Sequence, residues 1–192
     1  MDIMLFHSAY GLRPAVRMAA ERLEAAGHRV WTPDLYDGET FDTVEEGMVF
    51  KDRIGKDELL KRAVLAAVPH SDRGLVYAGF SLGASIAQNL ALGDEKARGL
   101  LLLHGTSDIA PNAAVDDLPV QLHIADPDAF EPHDWLTAWY LGMGRTGADV
   151  EVYSYPGAGH LYTDPDLPDY DERAAEQTWR VALGFLATLK GN

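Results

Sequence analysis

The sequence predicts an α/β protein, a mostly parallel sheet with helices on both faces and no large cap, folded as one domain over residues 1–192. Three observations carry this. Six short apolar runs alternate with segments of helical periodicity, the order a parallel sheet with crossover helices requires. Several runs are apolar at every position rather than at alternate ones, as in strands covered on both faces. A chain of 192 residues also suits one domain with a sizeable core.

Ile3–His7 is the first expected strand. A helix follows over Pro14–Ala26, with Pro14 near its start and Gly27 just past its end, the usual asymmetry of helix termini. His28–Pro33 reads as the second strand. Asp34–Arg53 is the longest irregular piece; it is acidic and carries Tyr36, Phe41, Met48 and Phe50. It reads either as an active-site cover or as a surface connection with a short helix from Val44 to Lys51. A helix over Lys56–Val68 leads to a strand at Gly74–Gly79 and a small-residue helix at Ser81–Leu92. Strands at Ala97–His104 and Val120–Ala125, a helix at Pro132–Gly142 and a strand at Val150–Tyr155 come next. The last helix, Asp171–Leu189, carries Ala175, Trp179, Ala182, Leu183, Phe185, Leu186 and Leu189 as an apolar stripe for core packing.

Composition narrows the function. The formal net charge of −14 argues against nucleic acid and against an anionic membrane surface as partners. The absence of cysteine excludes disulfides, thiol nucleophiles and cysteine-based zinc sites. The chain opens directly in a strand, with no positively charged region and no long apolar stretch. No signal peptide or membrane span is expected, and a cytoplasmic location fits.

The most informative motif is Gly79-Phe80-Ser81-Leu82-Gly83, set between the apolar run Gly74–Ala78 and the helical stretch Ala84–Ala91. A nucleophile elbow needs this strand–turn–helix setting. Its turn is so tight that the residues flanking the serine must be small, which accounts for Gly79 and Gly83. The Ser81 hydroxyl is then exposed at the head of a strand, and the Leu82 N–H points where an oxyanion would form. The plain alternative is a Gly-Ser turn without chemistry.

A serine hydroxyl is a poor nucleophile at neutral pH and needs a base, itself oriented by a third group. In hydrolases with such an elbow the chain order is Ser, then Asp or Glu, then His. Of the seven histidines, His160 in Tyr155-Pro156-Gly157-Ala158-Gly159-His160 follows the last strand at the same sheet edge as Ser81. His28, His70 and His133 lie at element ends, and His123 sits inside a strand. His7 and His104 end strands at the active edge, in position to line a pocket. For the acid, Asp128 in Asp126-Pro127-Asp128 is the choice, with Asp126 as a local alternative and Asp108, one strand earlier, as a third. A second oxyanion donor is expected from the loop His7-Ser8-Ala9-Tyr10-Gly11, from the N–H of Ala9 or of Tyr10. Tyr36, Phe41, Phe80, Trp135, Trp139 and Tyr140 are available to a pocket or to the core.

These residues resemble the dienelactone hydrolase family of α/β hydrolases over nearly the whole chain. The resemblance rests on His7–Leu12, Thr32-Pro33-Asp34-Leu35-Tyr36, the elbow, Ala125–Pro132 and Tyr155–His160. It implies a compact fold that starts at the third strand of larger α/β hydrolases. It favours Asp128 through the proline that follows at Pro132, and the aromatic-Gly pair Tyr10-Gly11 implies Ala9 N–H as the second oxyanion donor. The chain departs from the family in two places that matter. The namesake enzymes carry a cysteine nucleophile where this chain has Ser81, and a glutamate in the first loop where it has Ser8. Ala84 also replaces a second glycine. A serine depends more heavily than a thiol on its general base.

The expected activity is cleavage of a small ester or lactone through an acyl-enzyme on Ser81, with His160 as base and Asp128 as orienting acid. Leu82 and Ala9 would hold the oxyanion. No metal or organic cofactor is expected. A thioesterase or acyltransferase would use the same triad, and a binding protein on a hydrolase scaffold is the reading from another class.

Overall fold

The computed structural model describes residues 1–189; the last three residues of the expected 1–192 domain lie outside the described residues. In chain order the elements are β1 (Asp2–Phe6), α1 (Pro14–Ala25), β2 (Arg29–Trp31), α2 (Val44–Ile54) and α3 (Lys56–Ala67). A 3-10 turn over Val68–Arg73 leads to β3 (Val76–Phe80), α4 (Leu82–Gly93), β4 (Gly99–Leu103) and β5 (Pro119–Asp126). The chain continues through α5 (His133–Thr146), β6 (Asp149–Pro156) and α6 (Glu172–Leu189). The six strands form one sheet in the order β2-β1-β3-β4-β5-β6, and every neighbouring pair is parallel.

Each inner strand feeds two cores, because successive side chains point to opposite faces. Met4, Phe6, Tyr77, Leu100 and Leu102 face α3, α4 and α5, where they meet Leu59, Ala63, Ile86, Ala87 and Trp139. Ile3, Leu5, Val76, Phe80, Leu101 and Leu103 face α1 and α6, where they meet Val16, Leu23, Trp179, Phe185 and Leu186. This is why the runs are apolar throughout. Leu100 to Leu103 are fully buried, each contributing about 2 kcal/mol through removal from water.

Element ends depart from the sequence reading for local reasons. β2 keeps three residues of the expected His28–Pro33, since it is an edge strand that pairs with β1 only through Arg29, Val30 and Trp31. α5 runs past Gly142 to Thr146 and stops at Gly147, whose φ of 94° is the left-handed conformation that ends helices. Within the expected irregular piece, α2 extends to Ile54. Its N-cap is Thr43, whose Oγ1 accepts the Glu46 N–H at 3.3 Å and donates to Glu46 Oε2 at 3.0 Å. Ser81 precedes α4 rather than joining it. No helix among the described residues is long and apolar enough to cross a membrane.

β1 and β3 lie side by side, yet the connection leaving β1 runs to one edge of the sheet and the connection leaving β3 to the other. In open α/β sheets such a switch point leaves a crevice at the carboxyl ends of the strands. The loop after β1 and the elbow after β3 both open into it.

Candidate active site

Ser81 occupies the crevice in a conformation few non-glycine residues adopt, with φ 50° and ψ −109°. Backbone of this kind costs on the order of 1–3 kcal/mol and persists only where the surroundings hold it. They do so here. The Ser81 N–H donates to the Leu103 carbonyl at 2.8 Å. A Cβ at Gly79 would stand 2.2 Å from the Gly83 carbonyl carbon, and one at Gly83 would stand 2.3 Å from the Phe6 carbonyl oxygen. Both glycines are therefore places where backbone meets backbone, and they let α4 begin directly beneath the serine.

His160 lies on the loop that follows β6. Its Nε2 is 2.9 Å from Ser81 Oγ. Its Nδ1 is 3.0 Å and 2.8 Å from the two carboxylate oxygens of Asp128. A carboxylate only accepts, so Nδ1 carries the proton and Nε2 is left to accept from Ser81. The Asp128 side chain is fully enclosed, and its Oδ1 also accepts the Phe130 N–H at 2.8 Å. The Phe130 ring packs against the imidazole, centroid to centroid 4.5 Å. Asp126 instead pairs with His133 on the surface at 3.2 Å, and Asp108 is exposed, its carbonyl accepting from Gln88. Of the three carboxylates considered, Asp128 is the one that meets His160.

Two backbone N–H groups on the loops that open into the crevice lack partners among the described residues. Leu82 is the first residue of α4, and its N–H has no partner among the described residues. In the loop after β1, the Tyr10 N–H donates to Ser8 Oγ at 3.3 Å and the Gly11 N–H to the Ser8 carbonyl at 3.1 Å. The Ala9 N–H, between Ser8 and Tyr10, has no partner among the described residues.

Sequence reasoning placed His7 and His104 at the pocket edge; both are buried and engaged elsewhere. His7 donates from Nδ1 to the Ser8 carbonyl at 2.8 Å, while its Nε2 accepts the Leu35 N–H at 3.1 Å. Burial lowers its pKa, which keeps it neutral in this double role. His104 is fully enclosed, contacts Thr163 Oγ1 through Nε2 at 2.7 Å, and is held well below its ordinary pKa by burial. His123 bridges Tyr155 and Gln121, and burial pushes its pKa down to about 3. Glu131 was missed altogether. It is buried, its carboxyl is raised above the ordinary range by desolvation, and it accepts from the Thr106 N–H at 2.9 Å and the Thr106 hydroxyl at 2.6 Å. A charged residue directly before Pro132, in the loop of the acid, is the signal that could have found it.

Of the aromatic candidates, Tyr36, Phe80 and Trp139 belong to the core and Phe41 packs on its edge. Trp135 donates to Thr106 Oγ1 at 2.8 Å, and Tyr140 is half-exposed on α5. No group of three or more His, Asp or Glu side chains among the described residues converges as metal ligands would.

The profile of the dienelactone hydrolase family matches residues 2–190. The chain belongs to that family. Solved structures agree on the fold. A dienelactone hydrolase-like promiscuous phosphotriesterase from metagenomic libraries superposes with a TM-score of 0.84 at 20% identity, over 98% of this chain and 86% of that one. A phospholipase/carboxylesterase from Dyadobacter fermentans gives 0.67 at 16% identity, over 95% and 89% of the two chains. Est1E from Butyrivibrio proteoclasticus, solved with ferulic acid bound, gives 0.70 at 16% identity, over 100% and 90%. No curated protein matches. As a member of the dienelactone hydrolase family the chain is an α/β hydrolase, and it differs from the namesake enzymes in presenting Ser81 where they carry cysteine.

Proposed function

We propose that this protein is a serine hydrolase of small esters or lactones. Ser81 Oγ attacks the acyl carbonyl while His160 Nε2 takes the serine proton. The proton passes to the leaving alkoxide oxygen as the carbonyl re-forms, leaving an acyl ester on Ser81. Water, activated by the same imidazole, attacks that ester and releases the acid and the free serine. Asp128 holds His160 in the required tautomer and stabilises the imidazolium. The Leu82 and Ala9 N–H groups hold the oxyanion, where removing one donor costs other enzymes about 3 kcal/mol or more. The observation that carries the reading is the unbroken line of contacts from Asp128 through His160 to Ser81 Oγ, with the Leu82 and Ala9 N–H groups left unpaired among the described residues on the two loops that open into the same crevice.

The test is fluorophosphonate labelling of wild type and Ser81→Ala, with hydrolysis of short-chain p-nitrophenyl esters alongside. Labelling and turnover are expected in wild type and absent from the variant. Folded wild-type protein that neither labels nor turns over any ester would overturn the reading and favour a binding protein. Paraoxon and a feruloyl ester belong in the substrate panel, since the similar structures include a promiscuous phosphotriesterase and one holding ferulic acid.

A further inference from the structure

We propose that the segment Glu39–Gly47 is a clamp on the oxyanion loop, and that Gly47 of α2 is a positioning residue for the Ala9 N–H. The inference rests on the serine hydrolase reading. It starts from an anomaly in α2. Glycine inside a helix weakens it, yet Gly47 is the fourth residue of α2 and its buried one. Its surroundings give the reason. A Cβ at Gly47 would lie 2.1 Å from the Ala9 carbonyl oxygen and 2.8 Å from the Ala9 carbonyl carbon. The obstruction is backbone, so no side-chain rotation relieves it.

The contact is one of three in succession. The Phe41 N–H donates to the Tyr10 carbonyl at 3.0 Å. At Gly11, whose φ is 85°, a Cβ would stand 2.3 Å from the Glu39 carbonyl oxygen. The segment therefore meets Ala9, Tyr10 and Gly11 in turn. Arg13 adds a cross-tie, its guanidinium donating to the Phe41 carbonyl at 3.3 Å. Within the loop, His7 Nδ1 holds the Ser8 carbonyl and Ser8 Oγ holds the Tyr10 N–H. Ala9 is thus fixed by α2 and by the bonds within its own loop, and its N–H has no partner among the described residues. A side chain at position 47 pushes the Ala9–Tyr10 peptide away from α2, turns Ala9 about its Cα and swings that N–H off its line. The helix acts through the loop, so the damage falls on the transition state and spares ground-state binding.

The experiment compares wild type with Gly47→Ala, Thr43→Ala and Val49→Ala. It reads kcat and KM on p-nitrophenyl butyrate, inhibition by butylboronic acid as a tetrahedral mimic, and thermal melting. Gly47→Ala is expected to lower kcat by about 10- to 100-fold, to change KM by less than about threefold, and to weaken the boronate by a factor similar to that in kcat. Thr43→Ala removes the exposed cap that fixes the start of α2, and is expected to move kcat the same way by about threefold to tenfold. Val49 is 62% exposed on the same helix, and Val49→Ala is expected to match wild type. Folded Gly47→Ala with wild-type kcat overturns the clamp, as does a fall in kcat with boronate affinity intact. Should Gly47→Ala fail to fold, Thr43→Ala decides: wild-type kcat with faster amide exchange in α2 overturns the proposal. Folded wild-type protein that neither labels with fluorophosphonate nor turns over any ester sinks the serine hydrolase reading, and the clamp with it.

Discussion

The Asp128 carboxylate meets His160 Nδ1 with both of its oxygens, at 3.0 and 2.8 Å, from a side chain fully shielded from solvent. A buried carboxylate is tolerable only when paired and hydrogen-bonded. Here His160 and the Phe130 N–H share that task. The pair therefore couples the orientation of the imidazole to the integrity of the loop that carries the acid.

Asp128→Asn keeps the shape of the loop but presents an amide that can leave His160 in the wrong tautomer. Its kcat is expected to fall about 10⁴-fold. Asp126→Asn, which removes a surface pairing with His133, is expected to stay within about twofold of wild type, because exposed pairs contribute little. Steady-state kinetics on p-nitrophenyl butyrate check both, and equal losses in the two variants would refute the assignment of the acid.

Stability should fall on acidification. His7, His104 and His123 are all buried with pKa values below the ordinary 6.5, so the unfolded chain binds more protons than the folded one in that window. Each such histidine costs about 1.4 kcal/mol per pH unit between 6.5 and its folded pKa, a window that for His123 extends down to about pH 3. Glu131 and Asp164, raised by burial, act in the opposite sense, only between their ordinary and raised values. The melting temperature is expected to be flat between about pH 7 and 9 and to drop below pH 6. A His123→Gln variant should show a shallower slope, and an unchanged slope would remove His123 from the account.

Gln88 is completely buried beneath the loop after β4. Its Nε2 donates to the carbonyls of Ser107 and Asp108 at 2.8 and 3.3 Å, and its Oε1 accepts from the Ser107 N–H and Trp139 Nε1–H at 3.0 and 2.8 Å. Gln88→Leu strands those groups, at a cost of about 3 kcal/mol. For a chain of this size that is a fall in melting temperature of roughly 6–12 °C, measurable by calorimetry. A loss under 2 °C would mean that water replaces the amide without cost.

Charge on the substrate should matter. Tyr10 follows Ala9, the proposed oxyanion donor, and burial together with Asp169, Glu45 and Asp164 pushes its hydroxyl pKa up, against Arg13 acting the other way. Arg13 is already shared with Asp164 at 3.7 Å. Mono-p-nitrophenyl glutarate is therefore expected to show a kcat/KM about tenfold below that of the neutral butyrate, with the gap narrowing as salt is added. Equal rates at low ionic strength would contradict this.

Local features of the sequence were legible because their causes are local. The pairing of Gly79 with Gly83 reports a turn in which backbone meets backbone, and the uninterrupted apolar runs report strands covered twice. The end of α5 was misread at Gly142 because a glycine in a sequence does not say whether it is helical; Gly147, in the left-handed conformation, is the one that stops the helix. Glu131 was overlooked because its partner, Thr106, belongs to a different loop.

By itself, the sequence determined the layered α/β architecture, the elbow around Ser81 and the short field of carboxylates and imidazoles that could gather at one sheet edge. Periodicity and spacing are properties of neighbouring residues, and they suffice for that much. Only the tertiary structure decided that Asp128 meets His160 while Asp126 turns to the surface. The same holds for His7, which braces the loop after β1 instead of lining a pocket, and for Gly47, a helix-weakening residue kept where α2 touches Ala9. Each of these depends on the distance between chain segments that lie far apart in sequence. That distance is set by how the two cores pack, and no local pattern encodes it.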